Sequence, residues 1–327
     1  FDKKSMYAIY NKWPEIAEKS YKIKFESINF DEIDHIIFAG MGGSGALGDI
    51  FASILSKKDI HVRVIKGYTL PKTVDSDTLI VVTSVSGNTT ESLNILDQAN
   101  KMNCKIIGFS SGGKMEKFCI KNNIEYRRIP KTHSPRASFS TFLFSMLKIL
   151  GPILSIKEED VLQSISEMKK LRNNICSSNL TENNKSVSIA DWIKGIPMIY
   201  YPIGLEAAAI RFKNSLQENA KVHAITENVI EACHNGIVAW EKNSNVQPIL
   251  LQGKDDHFKT KERWVILKEY FNKKGIAYKE INSIDGNILS KIICLIYLCD
   301  YTSIYLSVVR DIDPSPVESI AFIKKRI

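Results

Sequence analysis

Short apolar runs that alternate with helix-like segments are the feature that most constrains the fold of this chain. Five such runs occur before residue 130, and each has the length of a buried strand. They are His35–Ala39, Ile60–Ile65, Thr78–Val82, Cys104–Phe109 and Ile124–Ile129. Strands that alternate with helices at this spacing predict a parallel sheet with helices on both faces. Ligands of such sheets bind outside the carboxyl ends of the strands.

The second half of the chain repeats this architecture in a weaker form. Pro197–Ile203 predicts a strand and Glu206–Leu216 a helix, which together echo residues 35–55. Val246–Leu251 corresponds to the third strand of the first half, but no hydroxyl cluster follows it. The expected fold class is therefore α/β, with two parallel sheets that are flanked by helices.

The length of 327 residues fits two domains that each bury a core of their own. Gly151-Pro152 marks the expected boundary, so we predict an N-terminal domain over residues 1–152 and a C-terminal domain over residues 153–327. The first 30 residues or so begin with a helical pattern that Pro14 interrupts, and we expect them to pack across the first domain.

The loop after the third strand combines several groups that bind anions. Ser84, Ser86 and Thr89 lie within six residues, between a fully apolar run and a predicted helix. Their hydroxyls would converge with unpaired N–H groups at the positive end of the helix dipole. A single Ser or Thr would indicate an ordinary helix cap, but three favour a site for a phosphate monoester. One phosphate site per chain is expected.

The turn after the first strand contains a glycine pattern that has two interpretations. Gly40, Gly42 and Gly45 satisfy the GxGxxG fingerprint of dinucleotide-binding domains. That fingerprint requires an acidic residue about 20 positions further on, whereas the second strand ends in Lys66. A nicotinamide cofactor is therefore disfavoured but stays open, because Arg63 or Lys66 could meet a 2′-phosphate. We favour a turn whose backbone approaches the same sugar phosphate.

The composition limits the classes of partner and the compartment. A hydrophobic share of 44% and a charged share of 24% are those of a soluble globular protein. The net charge of +8 comes from dispersed basic residues among 36 acidic ones, so nucleic acid is not an expected partner. No apolar run of about 18 residues and no signal peptide are evident, and the six cysteines show no CxxC spacing. We expect free thiols in a cytoplasmic protein that has no metal site and no membrane contact.

Three residues outside these turns are candidates for chemistry. Glu218 ends a predicted helix and His234 follows 16 residues later, and a carboxylate and an imidazole are suited to moving protons. Arg136 precedes an apolar helix and is a candidate for stabilising developing negative charge. From composition alone the simpler interpretation of the first two is favoured, namely a helix-end Glu paired with Lys221 and a loop His that caps a neighbour.

Seven short motifs follow one another in a fixed order from about residue 35 to the end of the chain. They are Met41–Gly45, Ser84–Thr89 with Glu91, Ser110–Gly113, Pro135–Ala137, Glu218–Lys221, His234-Asn235 and Asp313–Pro316. Together they resemble the bifunctional phosphoglucose/phosphomannose isomerase family of the sugar isomerase (SIS) superfamily. The resemblance implies two SIS domains per chain, a homodimer, and cofactor-independent interconversion of glucose 6-phosphate and mannose 6-phosphate with fructose 6-phosphate.

The resemblance also implies roles for individual residues. Ser84, Ser86 and Thr89 would hold the phosphate, and Gly42, Gly43 and Ser44 would line the sugar. Glu218 would be the base that takes the C2 proton and returns it at C1, while Arg136 would stabilise the cis-enediolate. His234, reaching over from the partner subunit, would assist ring opening together with Lys324, although an exposed tail lysine beside Lys325 and Arg326 is nearly as good an interpretation of Lys324.

The sequence departs from the family pattern at four positions. Val85 replaces an aromatic residue, Ile230 a proline, Cys233 an asparagine and Gly236 a glutamate. The last two flank His234, and they motivate a second hypothesis, a SIS-type sensor that binds a sugar phosphate without turning it over. A third hypothesis, an NADP-dependent oxidoreductase, depends on the glycine fingerprint alone.

Overall fold

The computed structural model describes residues 2–26, 28–30 and 32–326, which form two compact units. The N-terminal unit comprises Lys12–Leu162 and Phe322–Ile327, and the C-terminal unit comprises Phe1–Asn11 and Gln163–Ala321. The division into SIS domains at residues 152 and 153 stays a prediction.

The elements of the first half follow one another as the alternating pattern predicts. In chain order they are α1 (Met6–Asn11), α2 (Trp13–Lys22), β1 (His35–Ala39), α3 (Gly43–Leu55), β2 (His61–Ile65), β3 (Thr78–Ser84), α4 (Thr90–Ala99), β4 (Lys105–Ser110), α5 (Gly113–Lys121), β5 (Glu125–Arg128) and α6 (Phe139–Leu150). Every residue of β1 and β3 is buried, as expected for the central strands of a parallel sheet.

The second half contains four further strands. Its elements are α7 (Glu158–Ile175), α8 (Lys185–Trp192), β6 (Ile196–Tyr201), α9 (Glu206–Asn219), β7 (Ile225–Asn228), α10 (Val229–Ala232), a 3-10 helix (Gly236–Glu241), β8 (Val246–Gln252), α11 (Phe258–Lys274), β9 (Lys279–Asn282), α12 (Ile288–Val309) and α13 (Glu318–Lys324).

The two sheets share one strand order. The N-terminal sheet is parallel with the order β2-β1-β3-β4-β5, and the C-terminal sheet is parallel with the order β7-β6-β8-β9. In each sheet the first strand of the unit lies between the second and the third, so that the strand order reverses beside it. Connections that leave neighbouring strands toward opposite faces open a crevice at such a point. In the N-terminal unit this crevice lies between the ends of β1 and β3, and the prediction of parallel sheets is confirmed.

Helices α1 and α2 pack on different units, whereas the sequence predicted that both would cover the first domain. Helix α2 packs on α6 within the N-terminal unit, where the rings of Trp13 and Phe139 stack at 5.9 Å. Helix α1 instead packs on α12 in the C-terminal unit, where Tyr297 Oη donates to Tyr10 O at 2.7 Å. The expectation that all of residues 1–30 cover the first domain was therefore wrong. Pro14, at the start of α2, separates the two helices, so that each buries its apolar side independently.

Helix α12 is the core helix of the C-terminal unit. Among the described residues it is the one helix that is long and apolar enough to span a membrane, but 83% of its most apolar window is buried inside the protein. It packs against α8 and α9, and this burial within the unit accounts for its composition.

Candidate functional site

The loop Ser84–Thr89, which we call the serine loop, connects the carboxyl end of β3 to α4. Ser84 is buried as the last residue of β3, and Thr89 occupies the N-cap position of α4. Their hydroxyl oxygens lie 2.8 Å apart, and Ser84 Oγ also accepts the N–H of Gly87 at 3.1 Å. Either hydroxyl can donate to the other, so one of the two O–H protons remains for an outside acceptor.

Helix α4 begins without a side-chain cap among the described residues. Its first internal hydrogen bond runs from Leu93 N to Thr89 O at 3.0 Å, so the N–H groups of the preceding three helical residues have no partner inside the helix. Ser86 Oγ accepts the N–H of Asn88 at 3.2 Å and keeps its proton available for donation. The hydroxyls of Ser84 and Thr89 therefore meet at the open N-terminus of α4, and the hydroxyl of Ser86 belongs to the same short loop.

The segment Ser110–Gly113, which runs from the last residue of β4 to the first residue of α5, braces the serine loop together with Met115. Ser111 N donates to Val85 O at 3.1 Å, and Met115 N donates to Gly87 O at 2.9 Å. Gly87 has a φ of +67°, and a Cβ there would overlap with Gly112 O. The absence of a side chain at Gly87 therefore allows the serine loop to approach the backbone of Gly112 closely.

The glycine turn after β1 meets the serine loop at the crevice. Ser44, near the start of α3, accepts the N–H of Val85 on its Oγ at 3.3 Å. Gly42 has a φ of +53°, which few residues other than glycine adopt, and no atom lies within 4 Å of the position of its Cβ. The predicted sugar-lining residues Gly42, Gly43 and Ser44 therefore lie beside the predicted phosphate loop.

The third glycine of the fingerprint is required by packing within the protein. A Cβ at Gly45 would lie 2.8 Å from Gly40 O and 3.1 Å from Lys66 Cε. The ammonium of Lys66 forms an ion pair with Asp49 at 2.6 Å, a carboxylate whose pKa burial raises although Lys66 opposes the shift. Lys66, a residue that could have met a 2′-phosphate, is therefore already paired. This contact weakens the nicotinamide hypothesis further.

Two predicted residues of the N-terminal unit lie outside the two loops. Arg136 is 5% exposed and lies in the turn that leads into α6. Lys324 is the last residue of α13 and is exposed.

The predicted base Glu218 lies in the last turn of α9, in the C-terminal unit, and is partly buried. Lys221 follows with a φ of +55°, and its Nζ donates to Glu218 O at 2.5 Å and to Pro316 O at 2.8 Å. The lysine therefore ties the end of this helix to the Asp313–Pro316 motif. The pairing of Glu218 with Lys221 that the sequence suggested therefore includes a hydrogen bond to the backbone carbonyl of Glu218.

His234 lies in the turn between α10 and the 3-10 helix, and it is exposed. The turn is held by His234 N, which donates to Glu231 O at 2.9 Å, and by Asn235 Nδ2, which donates to Glu231 Oε1 at 2.7 Å. A Cβ at Gly236 would lie only 2.5 Å from Glu227 Oε2. A glutamate at position 236 would therefore require the Glu227 side chain to move, so the glycine and Glu227 are matched to each other.

The pKa values of two side chains beside this turn, Glu227 and Cys233, are raised. Burial, and then the neighbouring charge of Glu231, raise the pKa of Glu227. Burial also raises the pKa of the Cys233 thiol, which packs against the apolar cluster around Trp264 and Phe271. Cys233 therefore acts as a small core residue. Glu227 was missed in the sequence because only its contact with Gly236 distinguishes it from other surface carboxylates.

No group of three or more His, Cys, Asp or Glu side chains suited to a metal ion occurs in residues 2–26, 28–30 and 32–326. The loop after β8 corresponds in position to the serine loop, but carboxylates occupy it. Asp256 Oδ2 accepts the N–H of Gly253 at 3.1 Å and that of the Trp264 indole at 2.9 Å. A second site of the same chemistry is not formed by these residues.

Comparison with known proteins gives the same assignment for both halves of the chain. Residues 30–147 match the SIS domain family, and residues 182–327 match the family described as the bacterial phospho-glucose isomerase C-terminal SIS domain. A bifunctional phosphoglucose/phosphomannose isomerase from Caldicellulosiruptor bescii is 31% identical over 98% of this chain and 98% of its own length. A protein of the same name from Aquifex aeolicus is 30% identical, with 89% and 90% of the two chains covered.

A solved structure has the same fold. The C-terminal domain of glucosamine-fructose-6-phosphate aminotransferase from Francisella tularensis superposes with a TM-score of 0.72. The superposition covers 95% of this chain and 98% of that chain, at 15% sequence identity, a level that supports the fold alone. The predicted fold class, two SIS domains built on parallel sheets, is confirmed.

Proposed function

The chain belongs to the bifunctional phosphoglucose/phosphomannose isomerase family and is an isomerase, and we propose that it interconverts glucose 6-phosphate and mannose 6-phosphate with fructose 6-phosphate. The proposed reaction needs no cofactor and passes through a cis-enediol or enediolate. The single observation that carries the substrate class is the serine loop, where the hydroxyls of Ser84 and Thr89 meet at an uncapped helix N-terminus and Ser86 supplies a third hydroxyl in the same loop.

The phosphate of the hexose is proposed to bind at this loop. Its oxygens would accept hydrogen bonds from Ser84 or Thr89, from Ser86 and from the first N–H groups of α4. Hydrogen bonds to a charged acceptor are about twice as strong as neutral ones, and the helix dipole adds to them. Gly42, Gly43 and Ser44 would line the sugar beside the phosphate.

The chemical step moves one proton between neighbouring carbons. In the open-chain aldose the carboxylate of Glu218 takes the proton from C2, and the electron pair of that bond forms the C1–C2 double bond of the enediolate. Arg136 stabilises the oxyanion that develops on O1. Protonation of C1 by Glu218 and transfer of the O2 proton to the O1 oxyanion then give the ketose, with a carbonyl at C2 and a hydroxyl at C1. The same steps in reverse, with the proton returned to either face of C2, give glucose 6-phosphate or mannose 6-phosphate.

Ring opening must precede this step. It transfers a proton to the ring oxygen and removes one from the anomeric hydroxyl, a task suited to an imidazole because its pKa lies near neutrality. We assign it to His234, contributed across the interface of a homodimer, with help from Lys324. The exposure of His234 within its own chain is compatible with a role toward a partner subunit. A cytoplasmic location is part of the same proposal.

A direct assay tests the function. Purified protein is incubated with fructose 6-phosphate and no added cofactor, and the products are followed by NMR. Formation of both glucose 6-phosphate and mannose 6-phosphate supports the proposal. A strict requirement for nicotinamide would favour the oxidoreductase hypothesis.

The sensor hypothesis is favoured by one observation, the altered turn around His234. Cys233 is partly buried and packs against the apolar cluster around Trp264, and Gly236 lies against the Glu227 carboxylate, at the two positions beside the histidine where the sequence departs from the family pattern. Tight binding of fructose 6-phosphate without any product in the same assay would establish the sensor and refute the isomerase.

A further inference from the structure

Helices α9 and α12 meet along buried polar side chains, an unusual arrangement inside a core. Three residues of α9 take part, Arg211, Ser215 and Asn219, at a spacing of four that places them on one side of the helix. Asp300 and Ser303 of α12 face them, and all five residues are buried. We call these five residues the polar seam.

Every member of the polar seam is hydrogen-bonded across the helix pair. Arg211 donates to Asp300 through Nη2 at 2.8 Å and through Nε at 3.2 Å, and Ser215 Oγ donates to Asp300 Oδ1 at 2.5 Å. One turn further on, Asn219 Nδ2 donates to Ser303 Oγ at 2.9 Å. Hydrogen bonds are directional, so sliding or rotating α9 against α12 would break several of them at once. An apolar contact would not fix the two helices in this way.

The seam ends beside Glu218. Glu218 precedes Asn219, and it lies seven residues after Arg211, two turns along the same side of α9. Burial disfavours the charged form of Arg211 and by itself would lower the pKa of the guanidinium. The carboxylate of Asp300 outweighs this effect of burial, with contributions from Tyr10 on α1 and from Glu218, so the pKa of Arg211 is raised. Arg211 therefore remains a cation that the charge of Glu218 reaches.

Stability alone does not explain such a pair. Moving two charges out of water is costly, and replacing a buried ion pair by apolar residues of similar volume is often neutral or stabilising. Arg211 is 3% exposed and Asp300 is fully buried, so this cost applies to both. The ion pair fixes the position of α9 relative to α12, and a pair of apolar residues would not.

Building on the proposed function, we propose that the polar seam positions the carboxylate of Glu218 for proton transfer, with Arg211 as its central positioning residue. The seam holds the last turn of α9 in one rotation and one register relative to α12. Loss of the seam would displace the carboxylate while leaving the helices packed. A displacement of about 1 Å at a reacting group typically costs about 100-fold in rate.

The test replaces the central ion pair by apolar residues in two backgrounds. The double substitution Arg211→Met with Asp300→Leu is made in the wild type and in a Glu218→Gln protein. In the wild-type background we expect kcat for fructose 6-phosphate to fall about 100-fold at an unchanged KM, with an unchanged melting temperature or a higher one. In the Glu218→Gln background we expect no further loss, because substitutions that act through one group are not additive.

A second pair of variants decides the question if the double substitution prevents folding. Ser303→Ala removes the partner of Asn219, and Thr302→Val is its matched control, because Thr302 is buried next to it but donates to Leu298 O of its own helix. The proposal expects Ser303→Ala to lower kcat only when Glu218 is present, and Thr302→Val to leave it unchanged.

Two results would overturn the proposal. Full kcat in the seam variants would show that the seam does not position the base, and an equal loss in both backgrounds would assign it a structural role. In either case the wild type would still be active, so the isomerase function would stand. A wild-type protein without isomerase activity would overturn the proposed function itself, and the positioning role with it.

Discussion

The substitution Gly87→Ala adds a single methyl group, which is the smallest change that would separate the serine loop from the Ser110–Gly113 segment. The alanine Cβ would overlap with Gly112 O and would lie 2.8 Å from Gly112 C and 3.0 Å from Ser110 Oγ. The first two obstacles are backbone atoms, which cannot rotate away. We therefore expect Gly87→Ala to push the serine loop away from the Ser110–Gly113 segment and to disturb the predicted phosphate site.

The cost follows from two contributions. A left-handed backbone conformation, here a φ of +67°, costs a residue with a side chain about 1–2 kcal/mol. Separation of the loops also breaks the hydrogen bonds from Met115 N to Gly87 O and from Ser111 N to Val85 O, about 1 kcal/mol each. Together these losses amount to about 3–4 kcal/mol.

Alanine substitutions at two other glycines distinguish the cost of the backbone conformation from the cost of the broken hydrogen bonds. Gly42 has a φ of +53° with a ψ of −122° and no atom within 4 Å of its Cβ position, so Gly42→Ala should show a backbone cost without a steric clash, about 1–3 kcal/mol. Gly67 has open space and no left-handed backbone, so Gly67→Ala should stay within about 0.5 kcal/mol of the wild type. Native-state hydrogen exchange of the β3 and β4 amides measures the free energy of opening in each variant. The reasoning is refuted if Gly87→Ala and Gly67→Ala give the same value.

The remaining predictions concern the base and a buried histidine. Glu218→Gln should keep the affinity for fructose 6-phosphate and lower kcat by about 10²- to 10⁴-fold, the usual contribution of a general base. Calorimetry and the NMR assay measure the two quantities, and a full rate in this variant would refute the assignment. Burial, and then the adjacent His61, lower the pKa of His35 in the folded protein. The unfolded chain therefore binds more protons than the folded protein, and the free energy of unfolding should fall as the pH drops below 6.5. His35→Gln should flatten this slope in denaturant titrations between pH 5 and 6.5, and an unchanged slope would contradict the assignment.

The elements near the predicted phosphate site could be located from the sequence because they depend on local patterns. Runs such as Leu79–Val82 are apolar throughout, a composition typical of strands that are buried on both faces. The first hydroxyl of the serine loop, that of Ser84, follows this run after one residue. A strand end and a helix start place these hydroxyls in one short loop, and this placement can be read from the sequence; the contacts from Ser44 and Ser111 that brace the loop cannot.

Contacts between distant residues could not be predicted in the same way. Asp300 lies 89 residues from Arg211, and no spacing rule connects them. The match of Gly236 to Glu227 likewise depends on how the turn after α10 folds back on β7. The packing of α1 on α12 depends on burial of Tyr10, a residue that the helical pattern alone would place in either unit.

The binding of fructose 6-phosphate to a protein without the three hydroxyls tests the central claim most directly. Because Ser84 and Thr89 are hydrogen-bonded to each other, two of the three hydroxyl protons remain for the phosphate. Each hydrogen bond to a charged phosphate contributes about 1.5–3 kcal/mol, so calorimetry on the variant Ser84→Ala/Ser86→Ala/Thr89→Ala should show a Kd raised at least about 100-fold. Ser92→Ala is the matched control. Ser92 is buried in α4, the helix that follows the serine loop, and its Oγ donates to Thr83 O at 3.3 Å. The control should bind as the wild type does. A triple variant that binds fructose 6-phosphate with wild-type affinity would contradict the account, since the phosphate would then be held elsewhere.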